Sequence, residues 1–142
     1  MPTEEFWQKI QQGMGYTDEE MRVARASPYR SKALAAGPKM VRQRVIAEIV
    51  DAKNCVAHPV GTRYVIRANG IIQTGENPPK LCLHLLTVLL PAVQVTFDRL
   101  AQGGDLGPDW ERFYRCPDAG VECGGFGRVT VRVTAEQQQK RT

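Results

Sequence analysis

Four cysteines and two histidines are the side chains of this chain best suited to nucleophilic or metal chemistry, and their spacing restricts what that chemistry can be. Cys55, Cys82, Cys116 and Cys123 are scattered, with no Cys-x-x-Cys pair among them. Cys55 and His58 lie in one stretch and Cys116 and Cys123 in another. Should these two stretches meet at one end of a sheet, the four side chains would form a tetrahedral zinc site. His84 does not readily join Cys82 in such a site, because two positions on a helix differ by about 200° of rotation. The competing reading is four inert thiols, since free cysteine is among the most buried residue types. Neither histidine has a serine or cysteine placed in a motif that would make it a catalytic base.

The stretch Cys116-Pro117-Asp118-Ala119-Gly120-Val121-Glu122-Cys123 runs into Gly124-Gly125-Phe126-Gly127 and then into alternating valines. A phosphate loop requires a helix after its glycines, so that amides and dipole point at the ligand. Here a strand follows, so the glycines predict a bulge or a close crossing of chains. Asp98, Asp105, Asp109 and Glu111 offer no acid–base pair and read as solvated surface.

The elements that must position these groups follow from periodicity. Residues 3–12 predict a short helix with Phe6, Trp7 and Ile10 on one face. Thr17-Asp18-Glu19-Glu20 is a capping box opening a second helix, which stops before Pro28. Residues 27–39 read as a connector. From Met40 the period becomes two, with Val41, Val45, Ala47 and Ile49 on one side of a half-buried strand. A second strand over 62–68 leads to the hairpin signal Asn69-Gly70 and a return over 71–74. Asn77-Pro78-Pro79 predicts the N-terminus of a long helix, with Asn77 as cap and Pro91 as a kink, ending at Gly103-Gly104. Its residues His84, Thr87, Pro91, Gln94 and Asp98 form a polar stripe, opposite Cys82, Leu86, Leu89, Val93 and Phe97. Strands close the chain over 110–115 and 128–133.

The expected fold is α+β: a mostly antiparallel sheet packed on one long kinked helix, with an N-terminal helical arm. The domain plan is an arm over 1–38, an α+β body over 39–135 and a polar tail over 136–142. With 142 residues, 42% of them apolar, one domain can bury a hydrophobic core without support from metal or disulfide. The net charge of +4 is modest and its bases are dispersed, so nucleic acid is an unlikely partner. Residues 81–97 are apolar but interrupted, which predicts a core helix and no membrane crossing. The N-terminus lacks the apolar region of a signal peptide, which suggests the cytoplasm and reduced thiols.

From Met40 to Ala135 the chain resembles a family of small cysteine-containing bacterial proteins. The resemblance is carried by the Cys55 loop, by Lys80-Leu81-Cys82 with Pro91, and by the Cys116–Arg128 stretch; the arm motif from Met14 to Met21 fits as well. Within that group it is similar to the small subunits of ketone carboxylases of the acetophenone carboxylase type. That resemblance implies a cytoplasmic, non-catalytic accessory or structural subunit of a multi-subunit, ATP-dependent enzyme. Its partners would be larger subunits that bind ATP and carboxylate acetophenone to benzoylacetate. The cysteine-pair zinc motifs of the acetone carboxylase small subunit are missing here, so the resemblance carries over no metal and implies no cofactor on this chain. A stand-alone zinc-binding or redox protein using the cysteines is the alternative.

Overall fold

The computed structural model describes residues 2–138. Four helices, α1 (Glu4–Met14), α2 (Asp18–Ala26), α3 (Pro28–Ala35) and α4 (Gly37–Arg42), precede strands β1 (Gln43–Lys53) and β2 (Arg63–Arg67). The long helix α5 (Leu83–Ala101) follows, and then β3 (Glu111–Arg115) and β4 (Arg128–Gln137). The strands form one antiparallel sheet in the order β2-β1-β4-β3. This is the expected α+β architecture.

Alternation along the strands builds the core. Val45, Ala47 and Ile49 of β1, Tyr64 and Ile66 of β2, and Val129, Val131 and Val133 of β4 are buried together against Leu85, Leu89, Ala92 and Val93 of α5. Each valine, leucine or isoleucine among them contributes about 1.5–3 kcal/mol on leaving water. By register, Arg44, Glu48, Arg63, Arg67 and Arg132 fall on the opposite face. Arg132 meets Glu48 at 3.3 Å, and Arg44 and Arg67 share Glu76 at 3.2 and 3.3 Å. Much of the positive charge of the sheet is therefore balanced locally.

α5 is long and apolar enough by composition to cross a membrane. In this fold its inner face is the floor of the core, and the stripe His84, Thr87, Pro91, Gln94 and Asp98 is exposed as expected. The helix is continuous through Pro91. The missing N–H of that proline falls on the solvent side, where water can satisfy the carbonyl one turn back.

Four local expectations are corrected. Residues 27–39 are not a plain connector: they form α3 and the first half of α4. Ser27 caps α3 by accepting from Arg30 N, and both prolines take early helical positions, which need no N–H. Val41 consequently lies in α4 and is exposed, and the strand starts at Gln43. Asn77 is not the cap of α5. Its side-chain amide accepts from Val65 N at 2.7 Å and donates to Val65 O at 3.0 Å, so it pairs with the edge of β2 as a strand residue would. The prolines at 78 and 79 push the residues before them, Asn77 and Pro78, out of the helical region, and the helix begins five residues later than expected, with Cys82 as its N-cap. Finally, residues 136 and 137 are not tail: Gln137 pairs with Gln43, and Gln138 N donates to Arg42 O. The rest of the expected tail, 139–142, lies outside the described residues.

The arm is held by its own small core. Thr17 and Glu20 complete the capping box of α2, with Thr17 N donating to Glu20 at 2.8 Å. Trp7 is buried beneath the Arg25 guanidinium, 5.3 Å from its ring centroid, and Arg25 also reaches Glu4 at 2.9 Å. The body is joined through α3 and α4, where Ala33, Ala36 and Met40 pack on Leu100 and Ala101.

Candidate functional site

The C-terminal end of β1, the C-terminal end of β3, the start of β4 and the N-terminus of α5 converge on one end of the sheet. Between them lies a cavity of about 210 Å³ lined by Cys55, His58, Cys82, His84, Cys116, Asp118 and Phe126, among others. Three thiols and both imidazoles of the chain thus share one pocket.

Its construction starts from His58, which is 1% exposed. Tyr64 donates its one hydroxyl proton to the carbonyl of Lys80 at 2.5 Å, and its oxygen lies 2.8 Å from His58 Nδ1. With that proton committed, Nδ1 must be the donor to Tyr64. Nε2 in turn accepts the Cys82 backbone N–H at 3.2 Å. His58 is therefore the neutral Nδ1–H tautomer, and both ring nitrogens are occupied in tying the 54–61 loop to the strap before α5. Burial pushes its pKa below the ordinary value, in keeping with that neutral state. Tyr64 is pushed up, chiefly by burial and then by the neighbouring Cys55 and Cys82 sulfurs.

Asp118 builds the second wall. Its carboxylate accepts from Gly120 N at 2.8 Å and from Phe126 N at 3.1 Å, closing the 118–126 loop on itself. These amides, followed by Gly127 N–H and the nearby His84, hold its pKa below the usual carboxylate range. The glycine-rich stretch does cradle an anion, and that anion is the chain's own Asp118.

The close approach expected of the glycines is present at two of them. A Cβ on Gly125 would stand 1.9 Å from Asp118 Oδ1. One on Gly127 would stand 2.4 Å from Asn54 O and 2.9 Å from Cys55 N, where β4 approaches the Cys55 loop. Cys116 is fixed by β4, its N–H donating to Val129 O at 3.0 Å and its sulfur accepting from Val129 N at 3.3 Å. Lys53 and Glu122 pair across the base of the loop.

Of the four residues expected to gather, Cys55, His58 and Cys116 line the pocket, whereas Cys123 is exposed on a 3₁₀ turn and does not. Among the described residues, no three His, Cys, Asp or Glu side chains stand together in a way that could hold one metal ion. The cysteines are free thiols. Cys82 and His84, set apart in the sequence reading, are part of the site. Cys82 reaches the pocket as the N-cap of α5, outside its regular turns. Asp98 receives the Tyr29 hydroxyl and Asp105 pairs with Lys39, which leaves the expected acidic surface as surface.

No protein-family model, no curated protein and no solved structure matches this chain.

His58 makes a prediction about pH. In the unfolded chain the imidazole takes a proton near 6.5, and in the folded protein only at lower pH. The unfolded state therefore binds more protons below about 6.5, and stability, full above that value, falls as pH drops through the interval. Urea midpoints measured between about pH 5 and 8 should slope more steeply for the wild type than for His58→Gln. Parallel slopes would refute the assignment of a buried neutral imidazole.

Proposed function

We propose that this chain is a non-catalytic accessory subunit of a larger assembly, docked through the pocket end of its sheet. The observation that carries the reading is the rim of the pocket. Val56 and Phe126 are 98% and 86% exposed, an unusual position for two large apolar side chains flanking one cavity. The interior supports the same reading, because two of the acid–base groups there are engaged in architecture: His58 through both nitrogens, Asp118 through backbone amides. The finer proposal is that the assembly is an ATP-dependent ketone carboxylase acting on acetophenone in the cytoplasm, and its support is the sequence resemblance set out above.

Size-exclusion of native extract should place the chain with larger subunits carrying ATP-dependent ketone carboxylation. The Val56→Asp/Phe126→Asp variant should shift it to the monomer position with its thermal midpoint unchanged. A wild-type chain that elutes alone, with carboxylation intact in its absence, overturns the proposal.

A second reading, a stand-alone metal-binding (zinc) or redox protein, is favoured by the gathering of three thiols on one cavity. Metal analysis of anaerobically purified protein, together with a count of free thiols before and after mild oxidation, tests it directly.

A further inference from the structure

The two edges of the sheet differ. The edge of β2 is closed by Asn77, whose side-chain amide exchanges two hydrogen bonds with Val65, and by a bridge between Ile66 and Ile72. The edge of β3 is bare among the described residues, with β4 as its one neighbour in the sheet. Such an edge is a row of unpaired N–H and C=O groups, a template for another strand.

One bond fixes which groups form that row. Cys116 N donates to Val129 O at 3.0 Å, so Cys116 and Val129 are a hydrogen-bonded pair of the antiparallel ladder. Alternation then turns the backbone of Arg112 and Tyr114 toward β4 and that of Glu111, Phe113 and Arg115 outward. Pro108 and Pro117 bound the segment, and Pro117, next in the outward row, has no N–H to offer.

The side chains select a partner and a register. Set antiparallel against itself about Phe113, the strand Glu111-Arg112-Phe113-Tyr114-Arg115 places Glu111 opposite Arg115, Arg112 opposite Tyr114 and Phe113 opposite its own copy. Every outward N–H and C=O of both strands then finds a partner. By register with Thr134, Arg132 and Thr130, the side chains of Glu111, Phe113 and Arg115 share the sheet face away from α5. Two ion pairs thus flank an aromatic pair on one face, and Arg112 meets Tyr114 on the other. Phe113 is 57% exposed. Glu111, Arg112 and Arg115 enter no salt bridge among the described residues. The neighbouring registers that keep the outward groups paired are centred on Arg112 or Tyr114. The first sets Arg112 against Arg112, and the second leaves Glu111 without Arg115.

We propose that this chain forms a two-fold dimer by antiparallel pairing of β3 with β3 of a second copy, which joins their sheets into one. The interface is isologous, as a two-fold axis requires. Stable interfaces bury about 1,200–2,000 Å², and a strand of five residues is short by that measure. The dimer is therefore a weak one, formed in concentrated protein and dissociated to monomer at the dilution of an extract. Because the pairing is antiparallel, the pocket ends of the two copies point in opposite directions. The proposal is independent of the subunit reading above.

The test is sedimentation velocity of the full chain, purified alone, over about 1 μM to 1 mM. The wild type should pass from monomer to dimer across this range. Glu111→Arg and Arg115→Glu should each raise the dimer dissociation constant about tenfold or more, since each turns both ion pairs into like-charge pairs. Mixed in equal amounts, the two variants should associate again, because each supplies the charges that the other lacks. Near-UV circular dichroism shows that both are folded. In concentrated wild type the amides of Glu111, Phe113 and Arg115 should exchange with solvent more slowly than in dilute protein, while those of Arg112 and Tyr114 are unchanged. A wild type that stays monomeric throughout overturns the proposal, as does a dimer indifferent to both variants or a mixture no more associated than its components. The Val56→Asp/Phe126→Asp variant should dimerise as the wild type does, and its failure would assign the dimer to the pocket end instead. Protection of the Phe113 amide in a native hetero-complex but never in the concentrated chain would also overturn the dimer, in favour of a strand added by the larger partner.

Discussion

Leu85→Ala is expected to remove about 2–5 kcal/mol of stability, the range for emptying a leucine site in a packed core. Leu85 is 1% exposed and belongs at once to the core and to the lining of the thiol pocket. Its loss joins the void left behind to the existing cavity, so collapse of the surroundings can recover little. A domain of this kind has about 5–15 kcal/mol in total, and the variant should therefore unfold at a much lower urea concentration with an unchanged slope. A loss under about 1 kcal/mol would mean that α5 repacks freely against the sheet.

Gly127→Val should cost about 3 kcal/mol or more, at or above the usual range for overpacking. The atoms that a Cβ would strike, Asn54 O at 2.4 Å, Asn54 C at 2.6 Å and Cys55 N at 2.9 Å, all belong to the backbone. None can rotate away as the end of a flexible side chain would. Relief requires the Cys55 loop to move off β4, which opens the pocket, so Cys55 should also react faster with a thiol reagent. Gly107→Ala is the control, since its Cβ would meet nothing within 4 Å and its φ is ordinary; that change should stay within about 0.5 kcal/mol. Equal effects at Gly107 and Gly127 would remove the close-crossing explanation.

The parts of the fold legible in advance were those set by short-range chemistry. The Thr17–Glu20 capping box, the alternation along β1 and β4, the turn at Asn69-Gly70 and the polar stripe of α5 each depend on residues within a few positions of one another. The glycines before β4 belong here too, because a strand following them excluded a phosphate loop. What misled was punctuation with two meanings. Pro28 and Pro38 read as breaks, yet a proline is equally at home at the start of a helix, and there they begin α3 and α4. Asn77 read as a cap, but Val65 lies 12 residues away in the chain and supplies a backbone edge that the asparagine amide satisfies instead.

The candidate site divides along the same line. Residue type alone marked Cys55, His58 and Cys116 as worth watching, and local pattern assigned them to two loops at strand ends. Order along the chain carried no information on whether those loops meet, or on Cys82 and His84 facing the same cavity while Cys123 stays outside. Those outcomes follow from the sheet order β2-β1-β4-β3, which brings the end of β1 beside the start of β4, and from the late start of α5. The composition and periodicity of this chain determined an α+β body with a greasy helix and put Cys55, His58 and Cys116 in loops at strand ends. Long-range backbone pairing decided which thiols became neighbours, because hydrogen-bond register and a glycine-permitted chain crossing act between residues more than 70 positions apart.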